Sequence, residues 1–103
     1  MTRAPARQFS DIAIARINSV LFERWDPIGV NDTEVAKDEY LSYAPEIYSF
    51  LARGEPADFI GRHLDFLAST RMGVGAHAAQ SLAVASELKA LWQRLQFQSG
   101  KAR

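Results

Sequence analysis

Cysteine is absent from this 103-residue chain. That excludes disulfides, thiolate catalysis and any zinc site built on cysteine. A chain without disulfides fits a reducing compartment, so a cytoplasmic location is expected. No apolar run approaches the ~20 residues that a membrane helix needs. The stretch from Met1 to Phe9 lacks the apolar core of a secretory signal, and Asp11 follows Arg3 and Arg7 too closely for a transit peptide. The expectation is a soluble protein with no membrane partner. Neither sign of charge is in excess, since 12 Lys and Arg balance 12 Asp and Glu. Nucleic-acid binding needs a basic face, and a neutral chain argues against it. Internal repeats and low-complexity stretches are also missing.

What is present is a globular composition, 48% hydrophobic and 23% charged. The length suits one domain, able to bury about 65% of its unfolded surface. Four segments carry helical periodicity and no segment alternates as a strand would. The first spans about Gln8 to Trp25, with Phe9, Ile12, Ala13, Ile17, Val20 and Leu21 on one stripe, widened by Ile14, Phe22 and Trp25. Asp26-Pro27 ends it, because a residue before proline is pushed out of the helical region. Asp26-Pro27-Ile28-Gly29 reads as a turn. Asn31-Asp32-Thr33-Glu34 resembles a capping box, and a short helix from about Asp32 to Tyr40 is expected after it. Ser42 is the expected cap of the second main helix, with Pro45 in its first turn. A kinked continuous helix is the alternative. Gly54 is the expected left-handed stop. The polar stripe Ser42, Glu46, Ser49, Arg53 is narrow, which makes this the expected central helix. The third helix opens at Glu55-Pro56, with Pro56 at its first position, and turns Phe59, Ile60, Leu64, Leu67 and Met72 inward until Gly73-Val74-Gly75. The fourth runs from about Ala76 to Phe97, with Ser81, Val84, Leu88, Leu91 and Leu95 on one stripe and Trp92 beside it. Residues 1–7 and 99–103 are expected to fray. Short connections imply antiparallel neighbours. The fold class expected is all-α: a compact antiparallel bundle of four helices with an extra short helical turn, forming one domain over residues 1–103.

The run Trp25-Asp26-Pro27-Ile28-Gly29-Val30, followed by Asp38-Glu39-Tyr40 and Tyr43-Ala44-Pro45-Glu46-Ile47-Tyr48, resembles a group of small bacterial proteins classed as a domain of unknown function. The likeness continues through Gly54, Ile60 and Leu64 to Met72-Gly73, roughly the first three quarters of the chain. It departs at Leu41-Ser42, where an acidic residue is usual, and in a longer fourth helix. The resemblance implies an all-helical cytoplasmic protein and supplies no catalytic residue.

The residues themselves suggest three constellations. Trp25, Asp26, Pro27 and Gly29 are expected to form a structural corner, in which the indole plugs the bundle end and proline and glycine set the backbone; the alternative is a loop presenting Asp26 and Asp32 to a ligand. Asp32, Glu34, Asp38 and Glu39 precede Tyr40 and Tyr43, opposed only by Lys37. Tyrosines provide contact area with a polar tip, and carboxylates steer a basic partner. These six residues are the expected partner-binding surface, toward another protein or a second copy of the chain. The alternative is a small-ligand pocket or enzyme site between the second and third helices, with Tyr43, Glu46 and His63 converging. No catalytic residue is assigned and no cofactor or metal is expected. The acids do not have calcium-loop spacing. His63 and His77 fit no H-E-x-x-H pattern, and His63 and Asp65, two apart on a helix, do not face each other. Gly73-Val74-Gly75-Ala76 lacks the lysine of a phosphate loop and reads as a helix stop. Arg16, Arg53, Arg62 and Arg71 would line a groove only if packing gathered them; otherwise they are ordinary exposed charges.

Overall fold

A computed structural model describes residues 4–26, 40–71, 73 and 77–101, with side chains placed for 8–26, 40–71, 73 and 77–98. Helix α1 spans Ala4–Val20 and runs on through a wider π turn, Leu21–Trp25. A short 3₁₀ turn, Leu41–Tyr43, leads into α2, Ala44–Arg53. Helix α3 spans Ala57–Phe66 and also widens into a π turn, Leu67–Arg71. Helix α4 spans Ala78–Lys101. Among the described residues the fold is all-α, with four α-helices and no strand.

The buried seam of α1 falls on every fourth residue: Ala13, Ile17, Leu21 and Trp25. Residues four apart share one face of a helix, so this row points at the core. Phe9, Ile14, Val20 and Phe22 flank it, partly buried. Ile12 is half exposed, contrary to its expected place on the inner stripe. The seam chosen by packing passes one residue later, through Ala13, whose small side chain admits a close neighbour. The π turn closes with the Asp26 N–H donating to the Leu21 carbonyl at 2.8 Å, five residues back. Asp26 then takes left-handed backbone angles, φ 34° and ψ 59°, and the helix ends ahead of proline as expected.

Helix α2 does begin near Pro45, which occupies the first turn. The cap position belongs to Tyr43 and not to Ser42, because the preceding 3₁₀ turn occupies Leu41–Tyr43 and moves the start one residue along. At the other end Gly54 is left-handed, φ 80°. Its N–H donates to the Leu51 carbonyl, and the Glu55 N–H donates to the Phe50 carbonyl. This pair of bonds satisfies carbonyls that the helix end leaves open. Pro56 stands at the cap of α3, one residue before its expected place, and its carbonyl accepts from Phe59 and Ile60.

The hub of the molecule is α4 and not α2. Helix α4 packs against α1, α2, α3 and the first π turn. Length explains the difference: at 1.5 Å per residue α2 spans about 15 Å, while α4 spans more than about 30 Å and can touch everything. The inner stripe of α4 is as expected, with Ser81, Val84, Leu88, Leu91 and Leu95 all buried and Ala85 beside them. The helix continues to Lys101, past the expected end at Phe97, and α1 starts at Ala4. Helices α3 and α4 approach closely at buried Gly61, where an added Cβ would stand 3.3 Å from the Leu82 Cα. The Ser81 hydroxyl donates to Asp65 Oδ1 at 2.6 Å across the same seam. Midway along α4, Lys89 Nζ donates to the Glu55 carbonyl at 2.7 Å. Aromatic rings close the remaining space. Trp92 meets Phe9 of α1 and Tyr48 of α2 edge-on, with centroids 5.5 and 5.4 Å away.

The turn expected at Pro27-Ile28-Gly29, the capping box at Asn31, the short helix over 32–39, and Met72, Val74, Gly75 and Ala76 lie outside the described residues. Gly73, at the expected stop of the third helix, has a positive φ of 69°.

Candidate functional site

Trp25 and Tyr40 stand on either side of the acid-bearing segment in sequence and meet in space. The indole is only 4% exposed and the Tyr40 ring is fully buried. Their centroids are 5.4 Å apart. The Tyr40 hydroxyl donates to Asp26 Oδ1 at 2.7 Å, a short, charge-assisted bond. Gln80 of α4 donates its side-chain N–H to the carbonyls of Arg24 at 3.0 Å and Trp25 at 3.4 Å. The residues on both sides of segment 27–39 are therefore pinned to the bundle and to each other. Of the corner residues Trp25, Asp26, Pro27 and Gly29, the first two form this clamp, and Pro27 and Gly29 lie outside the described residues.

Of the six expected partner-binding residues, Asp32, Glu34, Asp38 and Glu39 lie outside the described residues. Tyr40 is a correction: with no exposed surface its ring cannot touch a partner, because it fills the core and its hydroxyl is used by Asp26. Tyr43 is half-buried and packs against the core. The residue that takes Tyr40's place at the surface is Leu41, 40% exposed. Ser42, Pro45 and Glu46 are exposed with it. Sequence reasoning passed over Leu41 because a leucine beside a helix start reads as core. The 3₁₀ turn aims it outward.

The alternative trio is partly assembled. His63 Nε2 lies 3.2 Å from Glu46 Oε1, joining α3 to α2. The carboxylate sits off the direction in which the ring N–H would donate, and Nε2 has no well-formed hydrogen bond. The separation is hydrogen-bond-like, but the alignment makes this an ion contact whenever the ring is protonated. His63 is 18% exposed and Glu46 55%. The imidazole also packs edge-on to Phe50 at 4.8 Å and stacks near Phe66 at 6.3 Å. It is a wedge between two helices, held mostly by rings. Among the described residues no three His, Asp or Glu side chains come together as a metal ion would need.

A groove that the sequence did not suggest lies between α1 with its π turn and α4. It has a volume of about 310 Å³. Arg16, Ser19, Val20, Glu23 and Arg24 form one wall, and Glu87, Ala90, Leu91 and Arg94 the other. Arg24 is paired with Glu87 at 2.7 Å across it. Of the arginines considered from sequence, Arg16 joins this groove. Arg53 instead pairs with Glu55 at 3.1 Å and lies over the Phe50 ring, and Arg62 faces Asp58 at 3.8 Å along its own helix. The signal that could have revealed one wall is the helical spacing of Arg16, Ser19, Val20, Glu23 and Arg24, a single face of α1.

Compared with protein-family models, with curated proteins and with solved structures, the chain matches none. Among the described residues no helix is long and apolar enough to cross a membrane.

Proposed function

We propose that this chain is a non-catalytic protein-recognition module, binding a basic partner through the acidic segment and the surface that follows it. The contacting residues are Asp32, Glu34, Asp38 and Glu39, with Leu41, Tyr43 and Glu46 adjoining. The observation that carries the reading is the Tyr40–Asp26 bond of 2.7 Å beside the buried Trp25 ring. It anchors the flanks of an acid-rich segment on a rigid core, which lowers the ordering cost of binding. An exposed leucine with a half-buried tyrosine supplies apolar contact, and the carboxylates supply steering and selectivity. Membership of the small bacterial family suggested by the W-D-P-I-G-V run belongs to the same proposal, as does a cytoplasmic location.

The test is parallel affinity capture from the native cell by the wild-type chain, by Asp38→Lys with Glu39→Lys, and by Leu41→Asp. Circular dichroism checks that each variant folds. Proteins held by the wild type and lost by both variants identify the partner class, and their release should advance with salt. Capture unchanged by the charge reversal overturns the reading. The partner is a second protein or a second copy of the chain, and sedimentation of the pure protein across concentrations separates the two.

A further inference from the structure

We infer that the groove between α1 and α4 is a binding site for a small organic oxyanion, a phosphate monoester or a carboxylate carrying a compact apolar body. This inference does not rest on the acidic segment.

Three guanidinium groups from two helices line one groove of about 310 Å³, at the small end of ligand pockets. Arg24 is held in place by Glu87 at 2.7 Å. Among the described residues no carboxylate pairs with Arg16 or Arg94. Two guanidinium forks therefore remain available to an incoming anion, and this fork matches both carboxylate and phosphate oxygens in bidentate fashion. Ser19 does not compete, because its hydroxyl donates to the Ala15 carbonyl at 3.3 Å. Val20, Ala90 and Leu91 also line the groove and supply apolar surface for the rest of the ligand. Glu23 and Glu87 set the upper limit on ligand charge. The glutamates that line the groove beside the arginines disfavour a polyanion such as nucleic acid.

The experiment is titration of the full-length, isotope-labelled chain with phenyl phosphate, benzoate, inorganic phosphate and the neutral benzyl alcohol, followed by amide shifts in NMR. Phenyl phosphate or benzoate should saturate, with shifts concentrated at 16–24 and 87–94, and the tighter of the two names the ligand class. Inorganic phosphate should bind more weakly, lacking the apolar body, and benzyl alcohol should not saturate. Arg16→Gln with Arg94→Gln should weaken binding about tenfold or more. Arg62→Gln, outside the groove, should leave it unchanged. Both variants replace exposed side chains, and circular dichroism confirms the fold. The proposal is overturned if neither aromatic anion saturates by about 10 mM. It is equally overturned if the Arg62 variant weakens binding as much as the groove variant, which marks diffuse attraction to surface arginines.

Discussion

The Tyr40 hydroxyl is the most consequential polar group described in this protein. It belongs to a ring with no exposed surface and it reaches Asp26 at 2.7 Å. A hydrogen bond to a charged group contributes about 1.5–3 kcal/mol. Tyr40→Phe should therefore lower unfolding stability by that amount in urea titration while the helical signal persists. Asp26→Asn should cost less, since an amide oxygen still accepts and asparagine tolerates the left-handed backbone seen there. Asp26→Ala should cost more than Asp26→Asn, losing both the acceptor and the backbone tolerance. If Tyr40→Phe proves neutral, the clamp is not what holds the flanks of segment 27–39. At the opposite end of α2, Gly54 adopts φ 80° with open space around it. Gly54→Ala should thus lose about 1 kcal/mol through backbone strain alone, with no steric component.

Between elements, α3 and α4 approach closely at Gly61. Glycine inside a helix is normally unfavourable by about 1 kcal/mol against alanine, so a larger residue would usually help. Here a Cβ would already stand 3.3 Å from backbone of α4, and branches beyond it have nowhere to go. Gly61→Val should lower stability by about 1–3 kcal/mol through overpacking, read as a shifted thermal midpoint. A variant as stable as the wild type would show that the two helices can slide apart freely. The same seam carries the Ser81–Asp65 bond at 2.6 Å, which selects one register of α3 against α4. Packing without polar pairing would accept a neighbouring register more readily.

For the whole molecule, the core joins residues from every helix and from both π turns into one cluster. Stability of this kind comes from apolar burial and responds weakly to salt. The ion pairs are mostly at the surface: Arg24 and Glu87 have side chains 60% and 43% exposed, and Arg62 and Asp58 74% and 63%. Pairs of that exposure contribute about 0–1 kcal/mol each. Raising ionic strength should therefore move the unfolding free energy by less than about 1 kcal/mol, as measured by urea titration at low and high salt. Partner capture by the acidic segment and anion binding in the groove should both weaken under the same change. A fold that loses several kcal/mol in high salt would mean that charge, and not the apolar cluster, holds the bundle.

Helix number, helix type and the inner stripe of α4 could be read directly from residue spacing, because a period near 3.6 is a local property of the chain. The stops were legible for the same reason: proline after Asp26 and glycine at 54 act on the backbone beside them. Which of two adjacent stripes of α1 turned inward was not legible, since Ile12 and Ala13 are separated only by how closely another helix can approach. Nor was the burial of Tyr40, which depends on Trp25 and Asp26 arriving from fourteen and more residues away. The groove is the clearest case. Arg16 and Arg24 recur on one face of α1, and Glu87 and Arg94 on one face of α4, and each spacing can be seen alone. Only the packing of the two helices turns two charged faces into one groove, because proximity across the fold has no signature in local periodicity.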